Sequence, residues 1–343
     1  MKVCAEQPLP LAAEASEPEL TEARRTRTFY SGDLMIRVIV DIFSGRPNPV
    51  WEVDDVTAQD LLREVEPMRD IVGGLNIGSG RLGFRGLVFE ETGRSETLRA
   101  REFPQTLRIS GEVPRGVELA LRLLSTLDQP RADSHGNLPA GFAAPSLADL
   151  RRLIEQDAVG FVSSGSRSGG GIFGHTGAPV LGTDASSWTT APQGSCQRDL
   201  GAFNPGFWNV APVQANNNCY NYATNRRTDT FAQPGRAAGK QATTMACSNV
   251  ASGAKADGIL GASFCLASTS QPRWYVALVV WPGVDYHWYR QQAEGYWGHK
   301  PGTTAARNYD NSGNVITNPQ TANRGGYTDF CGYFFVGSGA QIA

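Results

Sequence analysis

The chain has 343 residues, enough to bury two ordinary cores, and a formal net charge of −2. That balance argues against a general nucleic-acid binder, and no run approaches the roughly 18 consecutive apolar residues of a transmembrane helix. The charge is nonetheless uneven: residues 161–343 carry 12 Lys/Arg against 8 Asp/Glu, leaving 19 against 25 in residues 1–160, or about +4 and −6.

Residues 1–34 read as a mixed-charge disordered leader without a usable export signal, and Met35 is an alternative start. Met35–Ile42 (MIRVIVDI) is a β-branched run that predicts a buried strand. Ser44-Gly45-Arg46-Pro47-Asn48-Pro49 follows as a rigid turn with no assignable chemistry. Thr57, with Asp60 three residues on, predicts the start of a helix that runs towards Val72 with a kink at Pro67. Arg85–Phe89 and Thr106–Ile109 predict strands. Val117–Leu127 and Leu147–Ile154 predict amphipathic helices, the second capped by Ser146. These elements make a small α+β domain over 35–157.

Residues 158–182 contain Ser163–Gly171 (SSGSRSGGG), a flexible linker by composition. His135 and His175 are loop histidines. The second domain, 183–343, carries a short helix at Cys219–Asn225 entered through Asn216-Asn217-Asn218, which supply N-cap residues. Trp274–Trp281 (WYVALVVW) predicts a central strand. Val284–Arg290, Gly295–His299 and Tyr327–Val336 complete an antiparallel set. The fold class expected for the whole chain is α+β.

Five of the six cysteines fall in the C-terminal half: Cys196, Cys219, Cys247, Cys265 and Cys331. In an oxidising compartment four of them pair, and Cys219 is the choice for the free thiol; in a reducing one all stay reduced. The localisation is open, cytoplasmic by default with export by another route allowed.

Cys219, His287 and His299 are the residues that point to chemistry. A cysteine at a helix N-terminus gains thiolate character from unpaired N–H groups. His287, between Tyr286 and Trp288, lies on the sheet face opposite those aromatics. His299, twelve residues on across a hairpin, is placed to hydrogen-bond His287 and fix its tautomer. Together they are the parts of a thiol nucleophile, its base and an orienting group. Asp310 and Asn308 are alternative third members. Lys300-Pro301-Gly302 either rims a groove and draws in a carboxylate or forms a plain turn. Trp274, Trp281, Trp288 and Trp297 form either a core cluster or a sugar-stacking wall.

The order Cys219, His287, His299 and the final interval resemble the papain-like cysteine peptidases and amidases of the NlpC or CHAP type, a bacterial cell-wall hydrolase superfamily. The resemblance covers about residues 205–335. It departs from the family at Asn218-Cys219-Tyr220-Asn221-Tyr222-Ala223, where Asp-Cys-Ser/Gly is usual, and at Trp288 and Tyr289, where small residues follow the histidine. It implies a papain-like C-terminal domain and hydrolysis of a peptide or peptidoglycan-like amide through an acyl-thioester. Cys219 would attack, His287 would serve as base and His299 would orient it, with no cofactor and no metal. The rival expectation is a non-catalytic binding or assembly module, such as a surface or filament-forming protein.

Overall fold

The five apolar positions of MIRVIVD, four of them β-branched, set the centre of the first sheet. Strand β1 (Met35–Asp41) pairs with β2 (Pro49–Asp54) on one side and, beyond a short β3 (Val72–Gly73), with β4 (Gly86–Thr92) on the other. With β5 (Thr106–Ser110) and β6 (Ala132–Asp133) the order is β3-β5-β4-β1-β2-β6, antiparallel throughout. The computed structural model describes residues 35–73, 80–92, 97–127, 132–133, 145–164, 189–193 and 196–343. The leader, His135, His175 and linker residues 165–182 lie outside them.

Alternation sends Ile36, Val38 and Val40 into the main core, whereas Ile39 packs with Val50 and Val88 on the other face. Helix α1 (Asp55–Val65) and α3 (Pro114–Leu124) pack on this sheet, α2 (Thr97–Ala100) touches α1, and α4 (Leu147–Ser164) packs on α3. The cap of α1 is Asp54, whose carboxylate accepts from Thr57 N at 2.8 Å, so the helix begins one turn earlier than Thr57 suggests. Beyond Val65 the chain passes into a tighter 3₁₀ turn over Glu66–Ile71 that kinks at Met68, next to Pro67. Ser146 does cap α4, accepting from Asp149 N at 3.1 Å. That helix continues to Ser164, so the first part of the expected linker is helical.

In the C-terminal half β7 (Thr189–Gln193) and β8 (Cys196–Leu200) form a ribbon. Helices α5 (Val213–Asn216), α6 (Cys219–Thr224) and α7 (Cys247–Ala256) precede most of a five-stranded antiparallel sheet. Its strands are β9 (Leu260–Gly261), β10 (Trp274–Trp281), β11 (Asp285–Gln291), β12 (Trp297–His299) and β13 (Asp329–Val336), in the order β12-β11-β10-β13-β9. The fold is α+β.

The two faces of β10 go to different cores. Val276, Leu278 and Val280 pack with Tyr286, Trp288, Phe334 and the helix residues Cys219, Tyr220 and Val250. Tyr275, Ala277, Val279 and Trp281 join Tyr289, Phe335 and the apolar side chains of the first sheet. The boundary drawn at 158–182 thus separates the two sheets, while their core runs across it within one unit, Leu34–Ala343. Trp274, Trp288 and Trp297 are buried, and Trp281 is 9% exposed at the end of its strand. Disulfides join Cys196 to Cys265 and Cys247 to Cys331, leaving Cys219 as the free cysteine of the described residues.

Candidate functional site

Asn218 caps α6 with the reciprocal bonds of a capping box. Its side-chain Oδ1 accepts from Tyr220 N and Asn221 N at 3.0 and 3.1 Å, and Asn221 Oδ1 accepts from Asn218 N at 3.1 Å. This places Cys219 at the first helical position. The thiol is fully buried, however; it donates to the Tyr286 carbonyl at 4.0 Å and accepts from the Trp288 backbone N–H. Burial, with the Asp285 charge adding to it, pushes the thiol well above its ordinary pKa, so a six-residue helix terminus does not outweigh desolvation.

His287 sits on the other face of β11. Its neighbours across the ladder are Val279 and, two positions along, Ala277 opposite Tyr289; Cys219 packs with Tyr286 and Trp288. Strand alternation turns the imidazole to the face opposite Tyr286 and Trp288, the side chains with which Cys219 packs. His287 spends its ring nitrogens elsewhere: Nε2 is 2.8 Å from His299 Nδ1, and Nδ1 is 3.0 Å from Ser44 Oγ. His299 Nε2 donates to the Tyr309 carbonyl at 2.9 Å.

A carbonyl only accepts, so it fixes the tautomers in sequence. His299 carries its proton on Nε2, His287 carries its own on Nε2 and donates to His299 Nδ1, and Ser44 donates to His287 Nδ1. Both rings are neutral. Burial, then His299 and Arg85, hold His287 well below its ordinary pKa. Burial and Arg307 hold His299 at about 3. Asn308 and Asp310 flank Tyr309, but neither joins this chain: Asp310 accepts from Ser312 N, Asn314 N and Asn323 N, as a turn residue does.

The partner that the sequence reading missed is the Phe43–Pro49 loop. Ser44, Gly45 and Arg46 donate three successive backbone N–H groups to Asp285, at 2.6, 3.2 and 3.0 Å. Tyr327 OH donates to the same carboxylate at 2.6 Å. The Gly45 carbonyl in turn accepts from Asn218 Nδ2, Gln233 Nε2 and Tyr286 OH, at 2.9, 2.9 and 3.1 Å. A side chain at Gly45 would lie 2.5 Å from the Tyr286 ring, so only glycine permits this approach. Asn48 accepts from Ile42 N and Phe43 N and donates to Asp41, which also pairs with Arg85 and Arg108. Burial opposes it, yet Arg85 and Arg108 hold the Asp41 carboxyl below the usual carboxylate range. The loop thus fills the space beside His287 and rivets the two sheets together. The signal available for it was the string itself, with two prolines around Asn48 and a glycine that needs a reason.

Lys300 does not rim a groove. It is buried, and its ammonium donates to the carbonyls of Gln214 and Gly302, at 2.5 and 2.6 Å, and of Asn217. Burial pushes it down to about 7, while three carbonyls match the three N–H groups of the charged form. Among the described residues no three His, Cys, Asp or Glu side chains group as metal ligands.

No family model matches this chain, and no solved structure does. Insoluble matrix shell protein 1 of Ruditapes philippinarum is 50% identical to it over 140 residues, which is 41% of this chain and 93% of that protein. The chain belongs to the family of that shell protein. This relative overturns the expectation of a cysteine-dependent amide hydrolase of a bacterial cell wall, because its kin is a matrix protein and not a hydrolase. In the structure the thiol is buried and held neutral, and both imidazoles are buried, neutral and hydrogen-bonded within the fold. Nothing in the structure supports a peptide or peptidoglycan partner. Among the described residues no helix is long and apolar enough to cross a membrane.

Proposed function

We propose that this chain is a structural component of an insoluble extracellular matrix, acting by assembly rather than turnover. The observation that carries the reading is the 50% identity to a shell matrix protein across 93% of that protein's length. Two disulfides suit an oxidising, extracellular setting. Opposite charges on the two halves, about +4 and −6, favour head-to-tail contact between copies, and a net charge near zero limits repulsion. On this reading the order Cys219, His287, His299 reflects a papain-like layout without its chemistry.

The test is assembly of the disulfide-intact protein, followed by sedimentation and light scattering against concentration at low and high salt. The expected result is concentration-dependent growth into a pelletable fraction, weakened by salt because exposed charges are screened within about 8–10 Å near 0.1–0.15 M. A protein that stays monomeric at every concentration and salt level, and does not enter an existing matrix pellet, overturns the reading.

A further inference from the structure

We propose that the surface formed by loop 226–240 and the end of α7 binds an acidic polysaccharide strand. The inference rests on the charges and hydrogen bonds of this chain and does not depend on the assembly reading. Residues 201–284 hold six Lys/Arg against two Asp. One of the cations, Arg273, is buried and paired with Asp199. The other five are Arg226, Arg227, Arg236, Lys240 and Lys255, all exposed or half-buried. None of these five pairs with a carboxylate among the described residues.

The first half treats its surface cations differently. Arg63, Arg115, Arg122 and Arg152 are exposed, and they pair with Asp60, Asp70, Glu64 and Asp149. In the second half the nearby acids are committed elsewhere. Asp257 is buried and accepts from Tyr220 OH, Gly235 N and Ala238 N at 2.9, 2.6 and 3.3 Å. Asp229 is exposed, accepts from Asn217 Nδ2 at 2.6 Å, and offsets at most one of the five charges.

The loop is tied so that these cations share one stretch of surface. Asn217 Oδ1 accepts from Thr228 N and Asp229 N, and Asn221 Oδ1 from Ala232 N, at 3.1, 3.2 and 3.0 Å. Farther on, Lys240 N donates to Gly235 O at 2.8 Å, and a Cβ on Gly235 would lie 2.8 Å from Gly253 Cα of α7. Three guanidiniums are steadied without being neutralised. Arg226 donates to Ser338 O at 2.6 Å, Arg236 donates to Thr230 O at 2.9 Å, and Arg227 lies 4.8 Å over the Phe207 ring. A guanidinium held in this way keeps N–H groups for an oxyanion and loses less freedom when one binds.

What the surface lacks selects the kind of partner. The loop N–H groups bonded to Asn217, Asn221 and Asp257 leave no strand edge for a peptide to pair with. Phe231 and Ala232 are buried and Arg227 lies on Phe207, so the loop offers no apolar pocket for a peptide side chain. Charge is what remains. A carboxylated or sulfated polysaccharide carries an anion along its repeats and needs neither of the missing features.

The probes are dextran sulfate and polygalacturonate oligosaccharides, with unsulfated dextran as the neutral control and polyaspartate as the acidic polypeptide control. Binding to dilute, disulfide-intact protein is read by calorimetry at two salt concentrations, with sedimentation to show that the protein is monomeric. The expected result is saturable binding of at least one acidic polysaccharide, weakened by salt, and no binding of dextran. Arg227→Gln with Lys240→Gln removes two exposed charges whose side chains make no hydrogen bond among the described residues. This double variant should bind about tenfold more weakly with its thermal midpoint unchanged. Arg63→Gln with Arg115→Gln removes the same charge from the first half and should leave the affinity unchanged. The proposal is overturned if neither acidic polysaccharide binds, if dextran or polyaspartate binds as tightly, or if the two double variants weaken binding alike or not at all. Because binding is read on the monomer, failure here is distinct from failure to assemble.

Discussion

Replacing Asp285 by Asn tests whether the Phe43–Pro49 loop is the joint between the two sheets. The carboxylate is fully buried and receives Ser44 N, Gly45 N and Tyr327 OH on one oxygen and Arg46 N on the other. An amide placed with its oxygen towards the first three turns an NH₂ group onto Arg46 N–H, so two donors face each other. Leaving such a pair unsatisfied costs about 1–3 kcal/mol. The three surviving bonds lose their charge assistance, roughly 1 kcal/mol each, since bonds to charged groups are about twice as strong. The sum, about 4–6 kcal/mol, is a large share of the 5–15 kcal/mol that holds a typical domain. The assay is equilibrium urea unfolding followed by tryptophan fluorescence with the disulfides intact, against Glu118→Gln at an exposed site of α3 as a control within about 0.5 kcal/mol. A loss below about 1 kcal/mol for Asp285→Asn would refute the idea that this carboxylate organises the loop.

Three further outcomes follow from the same geometry. Cys219 should resist alkylation at pH 7 in the native protein, reacting at least roughly 100-fold faster once unfolded; fast native labelling, read by mass, contradicts its burial as a neutral thiol. His287 and His299 are both depressed in the folded state, so the unfolded chain binds more protons below about 6.5, and stability should fall as pH drops from there towards the folded value of about 3 for His299. The slope is up to about 1.4 kcal/mol per pH unit for each ring, and proton uptake on unfolding that does not rise between pH 6.5 and 4.5 refutes it. Removing the Cys247–Cys331 bridge by a double Ser substitution should lower stability by about 4–5 kcal/mol, because the bond closes a loop of 84 residues; an unchanged denaturation midpoint speaks against that bridge.

The strands were legible because their local signal and their burial agree. WYVALVVW is covered on both faces, and its eight-residue strand was readable to the residue. The cap of α6 was legible too, since Asn218 bonds within its own helix. What could not be read was which face each strand presents to which helix. Alternation separates His287 from Tyr286 and Trp288, but only the packing of α6 decides that Cys219 joins the aromatics. The role of Ser44 was equally hidden, because its partners Asp285, His287 and Tyr327 lie more than 240 residues away. α7 went unread because CSNVASGAKA carries small residues instead of an apolar stripe.

Both disulfides lie within residues 196–331, so each ties the C-terminal half to itself. Among the described residues the first half is held to the second by packing, by the polar contacts of the Phe43–Pro49 loop, and by the Asn311 amide, which bonds Leu82 N and Leu82 O at 2.8 and 2.9 Å. Apolar packing is non-directional and tolerates sliding, whereas three consecutive N–H groups on one carboxylate tolerate only one register. The loop therefore supplies the specificity and the shared core supplies the adhesion. The same loop places Ser44 Oγ 3.0 Å from His287 Nδ1, so the joint between the sheets and the imidazole pair share one buried polar network.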